Sequence, residues 1–387
     1  MNHRRIKLAQ DTISRDDIEA LVEWLREDHQ LTKGPLTQAF EAALAEYVGT
    51  KYAIMVNSGS SANLLMASSL LEAGYLRNKK VVVPAVSWIT TLSPFIQLGF
   101  ECFLCDSDPD DLGVDLDHLE ELLRRERPAL MIVVHILGHP NKMRQIRSLC
   151  ETYDCLVIED ACEALGSEYD GVKTGALSLA GSFSFYYGHH ISTIEGGAIA
   201  TSDEHLYSTM LSIRSHGWSR DLPESDRIAW RLEHGIDEFR EFYSFYYAGY
   251  NLRSTDLNAF LGLQQLRKLP EIVQLRSRNF ERYRENLPKL WVQRSEGSFV
   301  SSFAYGTFVR NRLELARHLR GMGIECRPLV CGSMGRQPFW IRRYGAMNLD
   351  VADRVHDFGL YLPNHAALTA DDISYITNCV NEVAIPL

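Results

Sequence analysis

Short, continuous apolar runs in the first 161 residues limit the fold of this chain more than any other sequence feature. The runs are YAIMV (52–56), VVVPA (81–85), FECFLCD (100–106), ALMIVVHIL (129–137) and CLVIEDA (155–161). Runs without polar alternation are typical of parallel strands that are buried on both faces. Helical stretches such as LDHLEELLRRE separate them. This alternation predicts an α/β fold with a mostly parallel sheet and helices on both of its faces.

The pattern changes near residue 251. There TDLNAFLGLQQLRKL predicts a helix, and a long charged helix follows through RSRNFERYRENL. A smaller α+β unit comes next, with strands near SSFAYGTFV, a helix over LELARHLRGMG and a last helix begun by Thr369 and Asp372 at capping-box spacing. We therefore predict a large α/β domain over 1–250. Linking helices and a small C-terminal α+β domain are predicted over 251–387.

Composition excludes several classes of protein. A formal net charge of −10 over 387 residues argues against a nucleic-acid binder, because no basic face could dominate that balance. No apolar stretch is long enough for a signal peptide or a membrane span, so a cytoplasmic protein without a membrane partner is expected.

The eight cysteines show none of the spacings that are typical of zinc or iron–sulfur sites. Cys102 and Cys105 form a C-x-x-C pair, but strand alternation would point them to opposite faces.

Candidate site residues follow the predicted strands, where ligands of α/β sheets bind. They are Gly59, Ser60, Trp88, Asp160, Glu163 and Ser184. Gly59 and Ser60 precede a helix whose free N–H groups could hold a phosphate, although such a segment is most often only a helix cap. Trp88 could equally be a core tryptophan. Asp160 ends a buried strand, and a buried carboxylate usually has a partner that offsets its desolvation.

In this order, the residues are what pyridoxal phosphate requires. The helix start and Ser184 would hold the phosphate, Trp88 would stack on the ring, and Asp160 would keep the pyridine nitrogen protonated, which makes the ring an electron sink. The chain here resembles the sugar-nucleotide aminotransferases of the aspartate-aminotransferase (type I) fold. The resemblance rests on NSGSSANLL, VVPAVSW, IEDACEALGSEYDGVKTG, SFYYGHH…EGGAIAT, IRSHGW, GYNLR and GIECRP, which occur in the family's order.

One position departs from the family. The resemblance implies a lysine six residues before Glu195-Gly-Gly, where it would form a Schiff base with the cofactor, but this chain has His189 there and no lysine anywhere in 174–267. The exchange resembles the family's sugar 3-dehydratases, and it implies a substrate such as GDP-linked 4-keto-6-deoxy-D-mannose. Pyridoxamine phosphate would then be held without a covalent bond. His189, an imidazole with an ordinary pKa near neutrality, would move protons as the C3 hydroxyl leaves. L-Glutamate would restore the amine.

The resemblance also implies substrate-side and partner contacts. Asn251 would reach the cofactor phosphate of a second subunit, which implies a homodimer with shared active sites. The substrate-side positions are His29, Gln30, Leu31, Thr32, His216, Arg220, Arg253 and Glu325, and each charged one could equally be a solvated surface group. Three alternatives stay open: a sugar-nucleotide aminotransferase, an iron–sulfur 3-dehydratase, and a non-catalytic regulatory relative that binds a sugar nucleotide. The iron–sulfur alternative lacks clustered cysteines.

Overall fold

The computed structural model describes residues 4–295 and 297–387. Strands and helices alternate from residue 52 to residue 160, and four more strands follow before the helix at residues 204–214. The helices are α1 (Arg15–Trp24), α2 (Pro35–Val48), α3 (Gly59–Glu72), α4 (Ile89–Gln97), α5 (Leu116–Glu126), α6 (Met143–Thr152), α7 (Glu204–Arg214), α8 (Glu224–Glu233), α9 (Asp256–Asn286), α10 (Arg312–Gly321), α11 (Pro338–Tyr344), α12 (Asp350–Phe358) and α13 (Ala370–Val383). The strands are β1 (Tyr52–Val56), β2 (Lys80–Pro84), β3 (Glu101–Cys105), β4 (Leu130–Val134), β5 (Leu156–Asp160), β6 (Glu168–Tyr169), β7 (Val172–Lys173), β8 (Ala180–Ser184), β9 (Gly197–Thr201), β10 (Ser298–Phe299), β11 (Tyr305–Phe308), β12 (Arg327–Pro328) and β13 (Gly359–Leu362).

A seven-stranded sheet in the order β1-β9-β8-β5-β4-β2-β3 lies at the centre of the fold. β3, β2, β4, β5 and β8 pair in parallel, while β9 is antiparallel to both of its neighbours, β8 and β1. Every strand of this sheet except β9 therefore runs in the same direction. The five apolar runs of the sequence form β1 to β5, which confirms the prediction of a mostly parallel α/β sheet. The carboxyl ends of these strands share one edge.

Helices cover both faces of this sheet. On one face, apolar side chains of α3, α4 and α7 form a cluster with the sheet. On the other face, α5 and α6 pack over β2 to β5, and α2 and α9 pack over β1, β8 and β9. Cys102 belongs to the cluster of the first face and Cys105 to a cluster of the second, so the two thiols point in opposite directions as predicted.

The part of the chain after residue 255 begins with one continuous helix, α9, where the sequence suggested two in succession. Pro270 lies inside α9 and costs a backbone hydrogen bond, about 3 kcal/mol or more in a helix interior. Burial of the adjacent Leu269, Ile272 and Val273 against the central sheet offsets that cost. A three-stranded antiparallel sheet, β11-β13-β12, then packs with α10 and α13. The division into domains at residues 250 and 251 stays a prediction.

No helix within residues 4–295 or 297–387 combines the length and the apolar character needed to cross a membrane. Within the same ranges, no group of three or more His, Cys, Asp and Glu side chains could hold a metal ion. The cytoplasmic location and the lack of an iron–sulfur cluster stay predictions.

Candidate active site

A cavity of about 480 Å³ opens at the edge of the central sheet where the carboxyl ends of the parallel strands meet. Its walls come from the first turns of α3 and α4 and from the segments that follow β4, β5 and β8. Seven residues singled out in the sequence line it: Gly59, Ser60, Trp88, Asp160, Glu163, Ser184 and His189. The fold thus brings together side chains that are up to 130 positions apart in the sequence, from 59 to 189.

One end of the cavity is suited to an anion. Gly59 is the first residue of α3, so Gly59 and Ser60 form its first turn and do not precede the helix as the sequence suggested. The Ser58 side chain caps α3 by accepting from the Ser61 N–H at 3.1 Å. A Cβ atom on Gly59 would lie only 2.7 Å from the Cβ of Ser184. The glycine therefore allows the helix N-terminus, with its free N–H groups and positive dipole end, to lie directly beside the Ser184 hydroxyl.

Deeper in the cavity, Asp160 is a buried carboxylate that the described chain leaves without a cation. It is 5% exposed, and its Oδ2 accepts hydrogen bonds from Asn63 Nδ2 at 2.8 Å and Thr91 Oγ1 at 2.7 Å. Its Oδ1 accepts from the Cys162 N–H at 3.2 Å. In residues 4–295 and 297–387, no lysine, arginine or histidine forms an ion pair with it. Because a buried charge needs compensation, this carboxylate fits a protonated ring nitrogen of a ligand.

Trp88 lies at the start of α4, and its side chain is 56% exposed at the cavity. The alternative of a core tryptophan is therefore wrong. A large flat ring that borders a cavity and remains open to solvent can stack on a planar ligand. Asp160, the α3 N-terminus and Trp88 together fit the pyridine nitrogen, phosphate and ring face of pyridoxal phosphate.

The orientation of the His189 ring makes one of its nitrogens a free base. His189 Nδ1 lies 2.8 Å from the backbone oxygen of Cys162. Because a carbonyl oxygen only accepts, Nδ1 carries the proton and donates it, and the neutral ring keeps an unprotonated Nε2. Burial, reinforced by the charge of Arg276, lowers the pKa of His189 to about 4, against the opposing effects of the Cys162 carbonyl and Asp160. The expectation that His189 titrates near neutrality is corrected: desolvation keeps it uncharged at neutral pH.

Glu163 lines the same cavity as His189, whereas the adjacent His190 does not. Burial, together with the nearby charge of Asp160, raises the pKa of Glu163 to about 7, although a hydrogen bond from the Leu137 N–H at 2.8 Å lowers it. Glu163 can therefore both donate and accept a proton close to neutral pH. His190 lies outside the cavity, fully buried, with Nε2 bonded to the Ser301 carbonyl at 3.0 Å. This bond connects the loop that follows β8 with the segment that precedes β11.

The sequence analysis did not identify several residues that contact the site. Asn63 and Thr91 orient the carboxylate of Asp160, while the Cys162 carbonyl and Arg276 contact His189. Helical periodicity could have indicated the first two, because Asn63 lies one turn after Gly59 on α3 and Thr91 lies one turn after Trp88 at the start of α4. Nothing local in the sequence marks Cys162 or Arg276.

None of the eight predicted substrate-side residues is among the described residues that line the cavity. His216, Arg220 and Arg253 surround the ring of Trp218, at 5.0, 4.2 and 5.5 Å from its centroid. We call these four residues the Trp218 surface. It adjoins the β1 edge of the central sheet, because Arg253 pairs with Val56.

The other residues that the family resemblance implies for substrate and partner contacts lie in two regions of the molecule. The segment from His29 through Gln30 and Leu31 to Thr32 joins the Trp218 side of the molecule, since Thr32 pairs with Thr255. Asn251 is exposed there and pairs with Ser215. Glu325 instead accepts from the N–H of Leu8 at 3.2 Å, and Leu8 itself lines the cavity. Their roles stay predictions.

Replacement of Asp160 by asparagine is expected to weaken pyridoxal phosphate binding by about 10- to 150-fold, because a hydrogen bond to a charged group contributes about 1.5–3 kcal/mol. Titration of cofactor-free protein with the cofactor, followed by absorbance, measures this effect. Asp203→Asn is the matched control, since Asp203 caps α7 and accepts from the Leu206 N–H outside the cavity. Equal affinities of Asp160→Asn and the unaltered protein would show that Asp160 is only structural.

Comparison with known proteins gives concordant results. A model of the DegT/DnrJ/EryC1/StrS aminotransferase family matches residues 11–381. The chain is 33% identical to the GDP-4-keto-6-deoxy-D-mannose 3-dehydratase of Yersinia pseudotuberculosis, over 97% of this chain and 98% of that protein.

Two solved structures share the fold over nearly the whole chain. A histidine-to-asparagine variant of a GDP-4-keto-6-deoxymannose-3-dehydratase with bound GDP-perosamine superposes with a TM-score of 0.89 at 32% identity, covering 96% of this chain and 99% of that one. A GDP-4-keto-6-deoxymannose-3-dehydratase with a trapped PLP-glutamate geminal diamine gives a TM-score of 0.87 at 31% identity, covering 97% and 100%. These matches confirm the predicted aspartate-aminotransferase-like fold class.

Proposed function

Since the chain belongs to the DegT/DnrJ/EryC1/StrS aminotransferase family, we propose that it is a lyase that removes the C3 hydroxyl of a nucleotide-linked 4-keto-6-deoxy sugar. The sugar nucleotide is GDP-4-keto-6-deoxy-D-mannose, the compound named in the relatives. Its cofactor is pyridoxamine 5′-phosphate, formed from pyridoxal 5′-phosphate with L-glutamate as amino donor. The bound PLP-glutamate adduct of a relative supports that donor.

A single observation supports this activity most directly. Among the described residues that line the cavity there is no lysine, and His189 presents a free Nε2 there. Imidazole cannot form a stable imine, so the cofactor is held by non-covalent contacts alone. A neutral base at this place suits proton transfer and the loss of water.

The proposed roles follow from the contacts of each side chain. The first turn of α3, with Gly59 and Ser60, binds the phosphate together with Ser184, and Asp160 keeps the ring nitrogen protonated. Trp88 covers one face of the ring. When bound, pyridoxamine phosphate supplies an amine for the C4 ketone of the sugar and a ring that accepts electrons.

His189 and Glu163 handle protons in this proposal. His189 Nε2 accepts a proton, and the same atom then donates a proton as the C3 hydroxyl of the sugar departs as water. The bond from Nδ1 to the Cys162 carbonyl fixes the ring for both transfers. Glu163, with a pKa of about 7, holds or releases a proton beside the cofactor at neutral pH.

The activity is tested with purified protein, pyridoxal phosphate, L-glutamate and GDP-4-keto-6-deoxy-D-mannose. The expected products are ammonia, 2-oxoglutarate and the 3-deoxy-4-keto sugar. An amino sugar formed without ammonia would identify an aminotransferase instead. If no 2-oxoglutarate forms, a non-catalytic relative is indicated. The same assay with UDP- and CDP-linked 4-keto-6-deoxy sugars tests the choice of nucleotide.

We propose a homodimer in which each active site takes residues from two chains. Within one chain the residues expected to bind the cofactor line the cavity, whereas three of those expected to bind the substrate belong to the Trp218 surface, and this division supports the arrangement. Exposed aromatic side chains near that surface also suit burial in an interface. They are Phe239, Phe242, Tyr243 and Phe245.

Mixing two inactive variants tests the shared site. His189→Asn lacks the base of the cavity, while Arg253→Ala lacks a residue of the Trp218 surface. When the two variants mix at random, about half of the dimers contain one chain of each. In such a mixed dimer, one of the two shared sites has both His189 and Arg253 intact. About a quarter of all sites, and so about a quarter of the activity, should therefore return. A mixture that stays inactive, although mass spectrometry detects mixed dimers, would assign both residues to sites built within one chain.

A further inference from the structure

Arg276, on α9, is a buried cation without a carboxylate partner in residues 4–295 and 297–387. It is 2% exposed, and its Nε has no hydrogen-bond partner there. Burial lowers the pKa of Arg276 to about 10, so the guanidinium remains charged at neutral pH. An uncompensated buried charge costs free energy, and such groups concentrate at functional sites.

The guanidinium binds three backbone carbonyls instead of an acid. Nη2 donates to the His189 carbonyl at 3.2 Å, and Nη1 donates to the carbonyls of Phe303, at 2.9 Å, and Asn364. Asn364 Nδ2 in turn donates to the backbone oxygen of Arg276 at 3.0 Å. Arg276 thus joins the loop between β8 and β9 to the segments that precede β11 and follow β13.

His189 is therefore held at two points. Arg276 holds its backbone oxygen, and the Cys162 carbonyl holds its Nδ1. The charges that shift the pKa of the ring are those of Arg276 from α9 and Asp160 at the end of β5. The other titratable groups nearby are the adjacent His190 and Glu163, which lines the same cavity. Phe303, which packs against the ring at 5.2 Å between centroids, carries no charge. Arg276 is thus the one cationic side chain among those named that stays charged at neutral pH.

We propose that Arg276 is a positioning residue for His189: it fixes the His189 backbone at the cavity and places a permanent positive charge close to the imidazole. That charge disfavours protonation of the ring, so His189 Nε2 stays available as a proton acceptor. The proposal rests on the proposed function only in that it takes His189 as the base.

Two variants separate the charge of Arg276 from its geometry. Arg276→Gln removes the charge, whereas Arg276→Lys keeps a charge but cannot bind three carbonyls with a planar fork. Arg284→Gln is the matched control, because Arg284 is an exposed residue of the same helix paired with Glu281. Circular dichroism and thermal melting establish which variants are folded.

The first measurement is NMR titration of the His189 ring in cofactor-free protein labelled at histidine, with the signal assigned by its loss in His189→Asn. We expect the pKa of His189 to rise in Arg276→Gln and to stay low in Arg284→Gln and Arg276→Lys. An unchanged pKa in folded Arg276→Gln would overturn the electrostatic part of the proposal. This readout needs no turnover, so it is independent of the proposed activity.

The second measurement is the pH profile of dehydration. Since the base must be unprotonated, the acid limb of kcat/KM should move to higher pH in Arg276→Gln. Arg276→Lys should instead lower kcat about tenfold or more at every pH with little change in KM, as expected for a displaced proton-transfer group. If Arg276→Gln does not fold, Arg276→Lys decides: a kcat equal to that of the unaltered enzyme would refute the positioning role.

Discussion

His189→Asn is expected to lower the rate of C3 dehydration by about 10²–10⁴-fold, the usual contribution of a general acid–base group, while the protein still binds its cofactor. The amide of asparagine can donate to the Cys162 carbonyl as Nδ1 of His189 does, so the loop keeps its anchor. What is lost is the basic nitrogen alone. Ammonia release from the sugar nucleotide measures the rate, and absorbance titration measures cofactor affinity.

The control for this variant is His205→Asn, because His205 is an exposed residue of α7 outside the cavity. It should turn over at the rate of the unaltered enzyme. Near-normal turnover of His189→Asn would remove His189 from the mechanism and leave Glu163 as the remaining group able to move protons at neutral pH. A loss of cofactor binding would instead give His189 an anchoring role.

His189→Lys is expected to convert a non-covalent cofactor site into a covalent one. The unaltered protein has no lysine among the described residues of the cavity wall, so borohydride treatment followed by denaturation should release the cofactor and leave the polypeptide mass unchanged. In the variant, a primary amine reaches the aldehyde of pyridoxal phosphate and forms a C=N bond that borohydride reduces. Mass spectrometry should then find one cofactor per chain, at residue 189.

The variant should also lose 3-dehydration, because the new amine occupies the aldehyde and the imidazole base is gone. His205→Lys is the matched control, since it adds a lysine outside the cavity and should gain no mass. If the unaltered protein retained the reduced cofactor on a lysine, it would be a lysine-dependent aminotransferase in its chemistry, and the proposed dehydratase would be refuted.

The sequence by itself determined the architecture of the central sheet and identified seven of the residues that line the cavity. Continuous apolar runs mark strands that are buried on both faces, and strand direction then places the residue after each run at one edge. Asp160, Ser184 and Gly59 could be selected for this reason. His189 stands where the family resemblance implies a lysine, and this exchange supplied the prediction of non-covalent cofactor binding.

Only the tertiary structure decided the environment of those residues. It placed Trp88 in contact with solvent, and it made α9 one helix through Pro270. It also lowered the pKa of His189 to about 4, chiefly by burying the ring and in addition by bringing Arg276, 87 residues later in the chain, to its backbone oxygen. These properties depend on desolvation and on contacts between segments that are distant in the sequence. Hydrophobic periodicity does not encode such contacts, because it specifies which face of a helix or strand is buried but not which other element covers that face.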